Sequence, residues 1–140
     1  MIQAQNIATE NPVGQLPVVL NLGTVTASAA DVYKVALPFY AARLRRVDVY
    51  AGGTVSGTTP TLSVTVAGAA SGTLATTADV TAAGLFETEA DAPITLPYDQ
   101  VSVSTTVGGT TPSFDGVWVT LWFSLTDNRD VSGSTAPVAY

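Results

Sequence analysis

The sequence has no cysteine and no histidine. The first absence excludes a disulfide framework and thiolate chemistry, though not an oxidising compartment. The second removes the commonest general base and the commonest imidazole ligand for a metal. Charge is also scarce, at 11% of residues against the usual quarter or so. Thr, Ser, Ala, Val and Gly fill the space, giving a polar but weakly charged surface suited to packing against neighbours. The net charge of −6 argues against nucleic acid as a partner. No apolar run approaches the length of a membrane span, and MIQAQNIATENPVGQL lacks the basic start and apolar stretch of a secretory signal. The expectation is a protein made in the cytoplasm, with no membrane partner and no cofactor.

Helix signals are nearly missing too. FYAARLRR (39–46) and Ala27–Asp31 are the only candidates; the first reads better as a strand with an irregular start, the second as a possible single turn. What is present is β pattern. Stretches 18–22, 32–37, 45–50 and 62–66 read as strands, followed by weaker ones near 73–78 and 85–89 and by 101–107 and 117–125. Along 117–125, Val117, Val119, Leu121, Phe123 and Leu125 take one face and Trp118, Thr120, Trp122 and Ser124 the other, so this strand should be central or covered on both sides. About eight short strands between Gly, Pro, Ser and Thr turns indicate an all-β fold: an antiparallel β-sandwich, jelly-roll-like. The sandwich is expected over residues 17–126, with extended arms at 1–16 and 127–140.

Gly-Thr-Thr-Pro occurs twice, at 57–60 and 109–112, each time before an apolar β-branched run. Glycine permits a positive φ, and proline keeps the residue before it extended, so both copies read as loops that deliver the chain into a central strand. The apolar face falls on even steps after Pro60 but shifts to odd steps after Phe114, and Gly116 is placed to absorb the change as a bulge.

The succession RVDVYAGGTVSGTTPTLSVTV, TTADVTAAGLFETEADAPITLPYDQVSVSTTV and GGTTPSFDGVWVTLWF resembles the jelly-roll module of tailed-bacteriophage virion proteins: capsid decoration (cement) proteins, head fibres and fibre tips. It covers roughly residues 43–125. AGAASGTL is shorter here than the matching hairpin of related modules, so no receptor-binding role is carried over to it. The resemblance implies a non-enzymatic virion protein on the capsid surface, a homotrimer bound to the major capsid protein lattice or to other virion proteins. The alternative it implies is a fibre or tail-tip module that binds host glycans through GGTVSGTT (52–59) and VGGTT (107–111). Tip domains are normally attached to a long shaft, which a 140-residue chain read as complete would lack.

Few side chains carry chemistry. Four of the five basic residues, Lys34, Arg43, Arg45 and Arg46, lie close in sequence and form a candidate docking patch for an acidic partner, against simple charge balance with Asp48. Tyr140 is a candidate anchor on a neighbouring subunit. Glu87, Glu89 and Asp91 alternate on one strand face, which fits either a Ca²⁺ site or an edge strand guarded by charge. With Asp48, Asp79, Asp99 and Asp115 they could also supply a glycosidase carboxylate pair, a remote option without a sugar-binding groove. Trp118 and Trp122 share a face and either cover the core strand, fill a subunit interface or stack on a sugar.

Overall fold

The computed structural model describes residues 15–38 and 42–125. They form seven strands: β1 (Gln15–Val25), β2 (Ala29–Ala36), β3 (Ala42–Ala51), β4 (Val55–Gly68), β5 (Gly72–Thr76), β6 (Gly84–Pro93) and β7 (Gln100–Leu125). All pairings are antiparallel. No described residue is helical. β7 runs for 26 residues and serves two sheets. Its first half lies between β2 and β4, with β5 beyond β4; its second half lies between β1 and β3, with β6 beyond β3. Counting β7 once in each sheet gives eight segments, ordered β2–β7–β4–β5 and β1–β7–β3–β6. This interleaving of two Greek keys is the jelly roll.

β3, the turn 52–54 and β4 run beside β7 almost without interruption. Ala51 pairs with Val117, and Val55 with Phe114. Between them Gly52 N donates to Gly116 O and Gly53 N to Asp115 O, both at 3.0 Å. The molecule is thus a long two-stranded ribbon, 42–68 against 101–125, folded across its middle into two layers. Alternation sends Leu44, Val47, Val49, Val117, Val119, Leu121 and Phe123 inward from one layer, and Leu62, Val64, Val66, Val101 and Val103 inward from the other. Phe114 fills the bend and is fully buried.

The two Gly-Thr-Thr-Pro copies are not loops leading separately into strands. They lie within β4 and β7 and cross one another at the fold of the ribbon, where Thr58 is registered with Thr110. The local geometry is nearly two-fold symmetric. Gly57 and Gly109 have φ of +112° and +102°, and Thr59 and Thr111 have +45° and +46°. Each of these threonine hydroxyls donates to the carbonyl of the threonine before it, at 2.8 Å. A β-carbon on Gly57 would lie 2.7 Å from Thr111 O, and one on Gly109 2.6 Å from Thr59 O. Neither glycine can therefore carry a side chain while the two backbones stay this close.

The change of parity at Gly116 is present as expected: φ is +61° there, and the register against β1 shifts between Gly23 and Val25. Other expectations need correction. The stretches 101–107 and 117–125 belong to one strand, because pairing with β4 continues through the crossing between them despite its left-handed residues. Ala29–Asp31 is strand, not a helical turn, since pairing with β7 begins at Ala29. β1 starts at Gln15, two residues inside the segment read as an arm. The irregular start of the third strand is a register shift between Leu44 and Arg46. Residues 39–41 and 126, the N-terminal arm up to residue 14 and the whole C-terminal arm, Tyr140 included, lie outside the described residues.

At the far end of β4, Asp99 closes the turn into β5. Its carboxylate accepts from Ser71 Oγ at 2.6 Å, Ala70 N at 2.9 Å and Ser71 N at 3.1 Å. The Ser71 hydroxyl, aided by these amides, holds the acid below the usual carboxylate range.

The crossing predicts an asymmetry among glycine substitutions. Gly57→Ala and Gly109→Ala should each lose at least about 2 kcal/mol of unfolding free energy in urea. Gly72→Ala, at φ +77° but with nothing near its β-carbon position, should lose only about 1 kcal/mol. Equal losses at all three sites would remove the backbone contact as the cause.

Candidate functional site

The outward side of the β1–β7–β3–β6 sheet gathers most of the large and charged side chains. Register arranges them in rows across four strands. One row is Asn21–Trp118–Tyr50–Leu85, the next Val19–Thr120–Asp48–Glu87, and the third Pro17–Trp122–Arg46–Glu89. Trp118 is 41% exposed, Tyr50 46%, Leu85 56% and Val19 58%. No described residue covers them, so β7 is central in its sheet but open on this side.

The third row contains a tightly coupled polar group. The Asp48 carboxylate is almost buried and accepts from Trp122 Nε1 at 2.9 Å and from Arg46 Nη2 at 3.1 Å. Arg46 Nε also approaches Asp48 Oδ1 at 2.9 Å, but off the hydrogen-bond line, and no other described group reaches either atom. The Arg46 guanidinium lies 5.3 Å from the centre of the Trp122 ring, within cation–π range. The Asp48 carboxylate raises the affinity of Arg46 for its proton. The group fixes one arginine and one tryptophan in place and leaves neither a free base nor a nucleophile.

The register shift at Arg45 has a chemical consequence. Strict alternation would send Arg45 and Arg46 to opposite faces. The extra residue lets Arg43, Arg45 and Arg46 all reach the outer side. Arg43 Nε and Arg45 Nη1 both bind Asp91 Oδ1, at 2.7 and 2.8 Å. Chiefly through Arg43, they hold the Asp91 carboxyl below its ordinary range. Two guanidiniums thus share one carboxylate, and a shallow groove of about 310 Å³ opens beside them, lined by Gln15, Arg45, Arg46, Glu89, Asp91 and Trp122 among others.

The structure brings together three of the basic residues singled out in sequence and separates the fourth. Lys34 lies on β2 in the other sheet, 3.6 Å from Asp31. Tyr140 falls outside the described residues. Glu87, Glu89 and Asp91 do share the outer face of β6, an edge strand. They do not converge on an ion: among the described residues no three acidic side chains cluster for a metal, and Asp91 is engaged by arginine. The segments 52–59 and 107–111, weighed as glycan-binding loops, are largely strand and pair with each other at the crossing. Sequence reading overlooked Tyr50, Leu85 and Val19. The alternation in R-V-D-V-Y and L-F-E-T-E carried the signal, because buried Val47, Val49 and half-buried Phe86 place their neighbours outside.

No protein-family model matches the chain, and no curated protein does. Among solved structures, it is similar to one of infectious bursal disease virus, Gx strain, at 16% identity and a TM-score of 0.47, over 81% of this chain and 30% of that one. It is similar to a chain of the cyanophage Pam1 capsid asymmetric unit at 18% identity and a TM-score of 0.40, over 80% and 86%. It is also similar to the Clostridium thermocellum xylanase 10B CBM22-1–GH10 modules in complex with xylohexaose, at 15% identity and a TM-score of 0.30, over 80% and 26%. The chain therefore spans under a third of the bursal disease virus chain it matches.

Removing Asp48 should expose its importance to the sheet. Asp48→Ala leaves the Arg46 charge and the Trp122 N–H without their acceptor and should cost about 3 kcal/mol in urea unfolding. Trp122→Phe, which deletes one donor and keeps most of the ring, should cost about 1 kcal/mol. A loss below 1 kcal/mol in Asp48→Ala would mean that solvent replaces the carboxylate freely.

Proposed function

We propose that this protein is a virion structural protein, and within that class a capsid decoration (cement) protein bound to the outside of an assembled shell. The observation that carries the reading is a coincidence of extent. The stretch that resembles phage virion modules, residues 43–125, is the stretch that builds the folded ribbon and two of its four flanking strands, β5 and β6. Weak charge and Ser- and Thr-rich strands support it, as does the absence of His and Cys for catalysis.

The mechanism is linkage. A protein that binds the assembled lattice and not its free subunits shifts the equilibrium toward the lattice. As a homotrimer it would make several shallow contacts at once, which add through effective concentration. Arg43 and Arg45 are the contacts assigned here to the major capsid protein. They share a single acid and retain further N–H donors for a partner's carboxylates. The arms, Tyr140 included, are assigned to neighbouring copies.

Adding purified protein to shells stripped of it should raise their rupture temperature and reduce release of contents on heating. Arg43→Glu with Arg45→Glu should weaken binding at least about tenfold while leaving the fold intact. An unchanged rupture temperature at saturating protein would overturn the cement reading.

A further inference from the structure

The row Asn21–Trp118–Tyr50–Leu85 takes no part in the arginine contacts, and it has the character of a binding platform. We infer that it binds a neutral oligosaccharide built of pyranose rings with equatorial substituents, stacked on Trp118 and Tyr50. The inference does not depend on the capsid reading.

Three observations converge. First, Trp118 and Tyr50 are directly opposed on neighbouring strands and are 41% and 46% exposed. Such rings are ordinarily more deeply buried, and here both are open to solvent at paired positions. Second, Tyr50 lies along the sheet surface. Its ring lies across Gly52, with Cε2, Cζ and Cδ2 between 2.6 and 3.4 Å from where a β-carbon would be. Glycine at 52 leaves room for the ring in this position, which a side chain there would contest. Third, the aromatic pair is bordered by hydrogen-bonding side chains: Asn21 at one end of its row, and Thr120 and Glu87 in the next. A pyranose has this same division, with C–H groups on its faces and hydroxyls around its edge.

A protein partner fits less well. The grooves of about 310 and 380 Å³ include neither Trp118 nor Tyr50, and the second reaches the row only at Asn21, so neither of these two grooves gives the rings a pocket for an anchoring side chain. A second protein surface laid over the sheet would also strip water from Glu87 and Glu89, which are exposed and make no ion pair among the described contacts. Sugar hydroxyls donate to carboxylates and so replace that water.

The test titrates the full chain with cellohexaose and, separately, with chitohexaose, followed by calorimetry and by the indole N–H signals of the two tryptophans. The expected result is saturable binding of at least one sugar, with Kd of about 0.1–1 mM and a shift of the Trp118 signal. Trp118→Ala and Tyr50→Ala should each weaken it at least about tenfold, whereas Tyr98→Ala, exposed on the loop before β7, should not change it. Should Trp118→Ala fail to fold, Tyr50→Ala and the wild-type Trp118 signal carry the same test. No saturable binding of either sugar, or binding unchanged in Tyr50→Ala, overturns the inference. So does sedimentation of an oligomer that Trp118→Ala or Tyr50→Ala dissociates while neither sugar binds; the row would then be a contact between copies.

Discussion

Where the ribbon bends from one layer into the other, two backbones approach to a distance that only glycine allows. A β-carbon on Gly57 would press on Thr111 O and Thr110 O, and one on Gly109 on Thr59 O and Thr58 O. The neighbouring Thr59 and Thr111 accept a left-handed conformation that threonine rarely adopts. Such strain persists only where the surrounding structure over-determines it. Here the constraint comes from the ladders on either side. Pairing runs from Gly68–Val101 through the crossing to Ala42–Leu125, so displacing the bend would break register in both sheets at once. Phe114, buried at the inside of the bend, adds the apolar contact that a folded ribbon needs there.

The crossing also determines what faces outward. Because β7 serves both layers, the parity of its second half decides which side chains of β1, β3 and β6 align beside it. Gly116 resets that parity, sending Val117, Val119, Leu121 and Phe123 inward and Trp118 and Trp122 outward. The shift at Arg45 does the same for β3, bringing three arginines to one surface. Two one-residue irregularities therefore assemble the aromatic row, the Asp48–Arg46–Trp122 group and the Arg43–Asp91–Arg45 cluster on a single sheet face. The proposed shell contact and the proposed sugar platform are neighbouring parts of that face.

Much of this was legible in the sequence, for identifiable reasons. Period-two alternation in LSVTV and VWVTLWF gave both strands and their inward faces. Counting steps from Pro112 located the bulge at Gly116. Charges on FETEAD marked an edge strand, and β6 is one. Long-range pairing was beyond reach. Gly-Thr-Thr-Pro carries the local chemistry of a turn, and nothing nearby reveals that its partner is its own second copy. For the same reason Lys34 was grouped with the arginines: proximity along the chain stood in for proximity in space, and β2 and β3 belong to different sheets. Tyr50 was readable from its alternation with Val47 and Val49, but its placement over Gly52 depends on the turn into β4.

If the crossing couples the two layers, they should open together. Native-state hydrogen exchange resolves this strand by strand. Amides of Val101–Thr105 and of Val117–Phe123, in opposite halves of β7, should then exchange through one opening with free energies equal to within about 1 kcal/mol. Gly109→Ala should lower both by the same amount. Exchange of one half at a free energy several kcal/mol below the other, or a Gly109→Ala effect confined to one layer, would show that the sheets are independent and that the crossing only joins them.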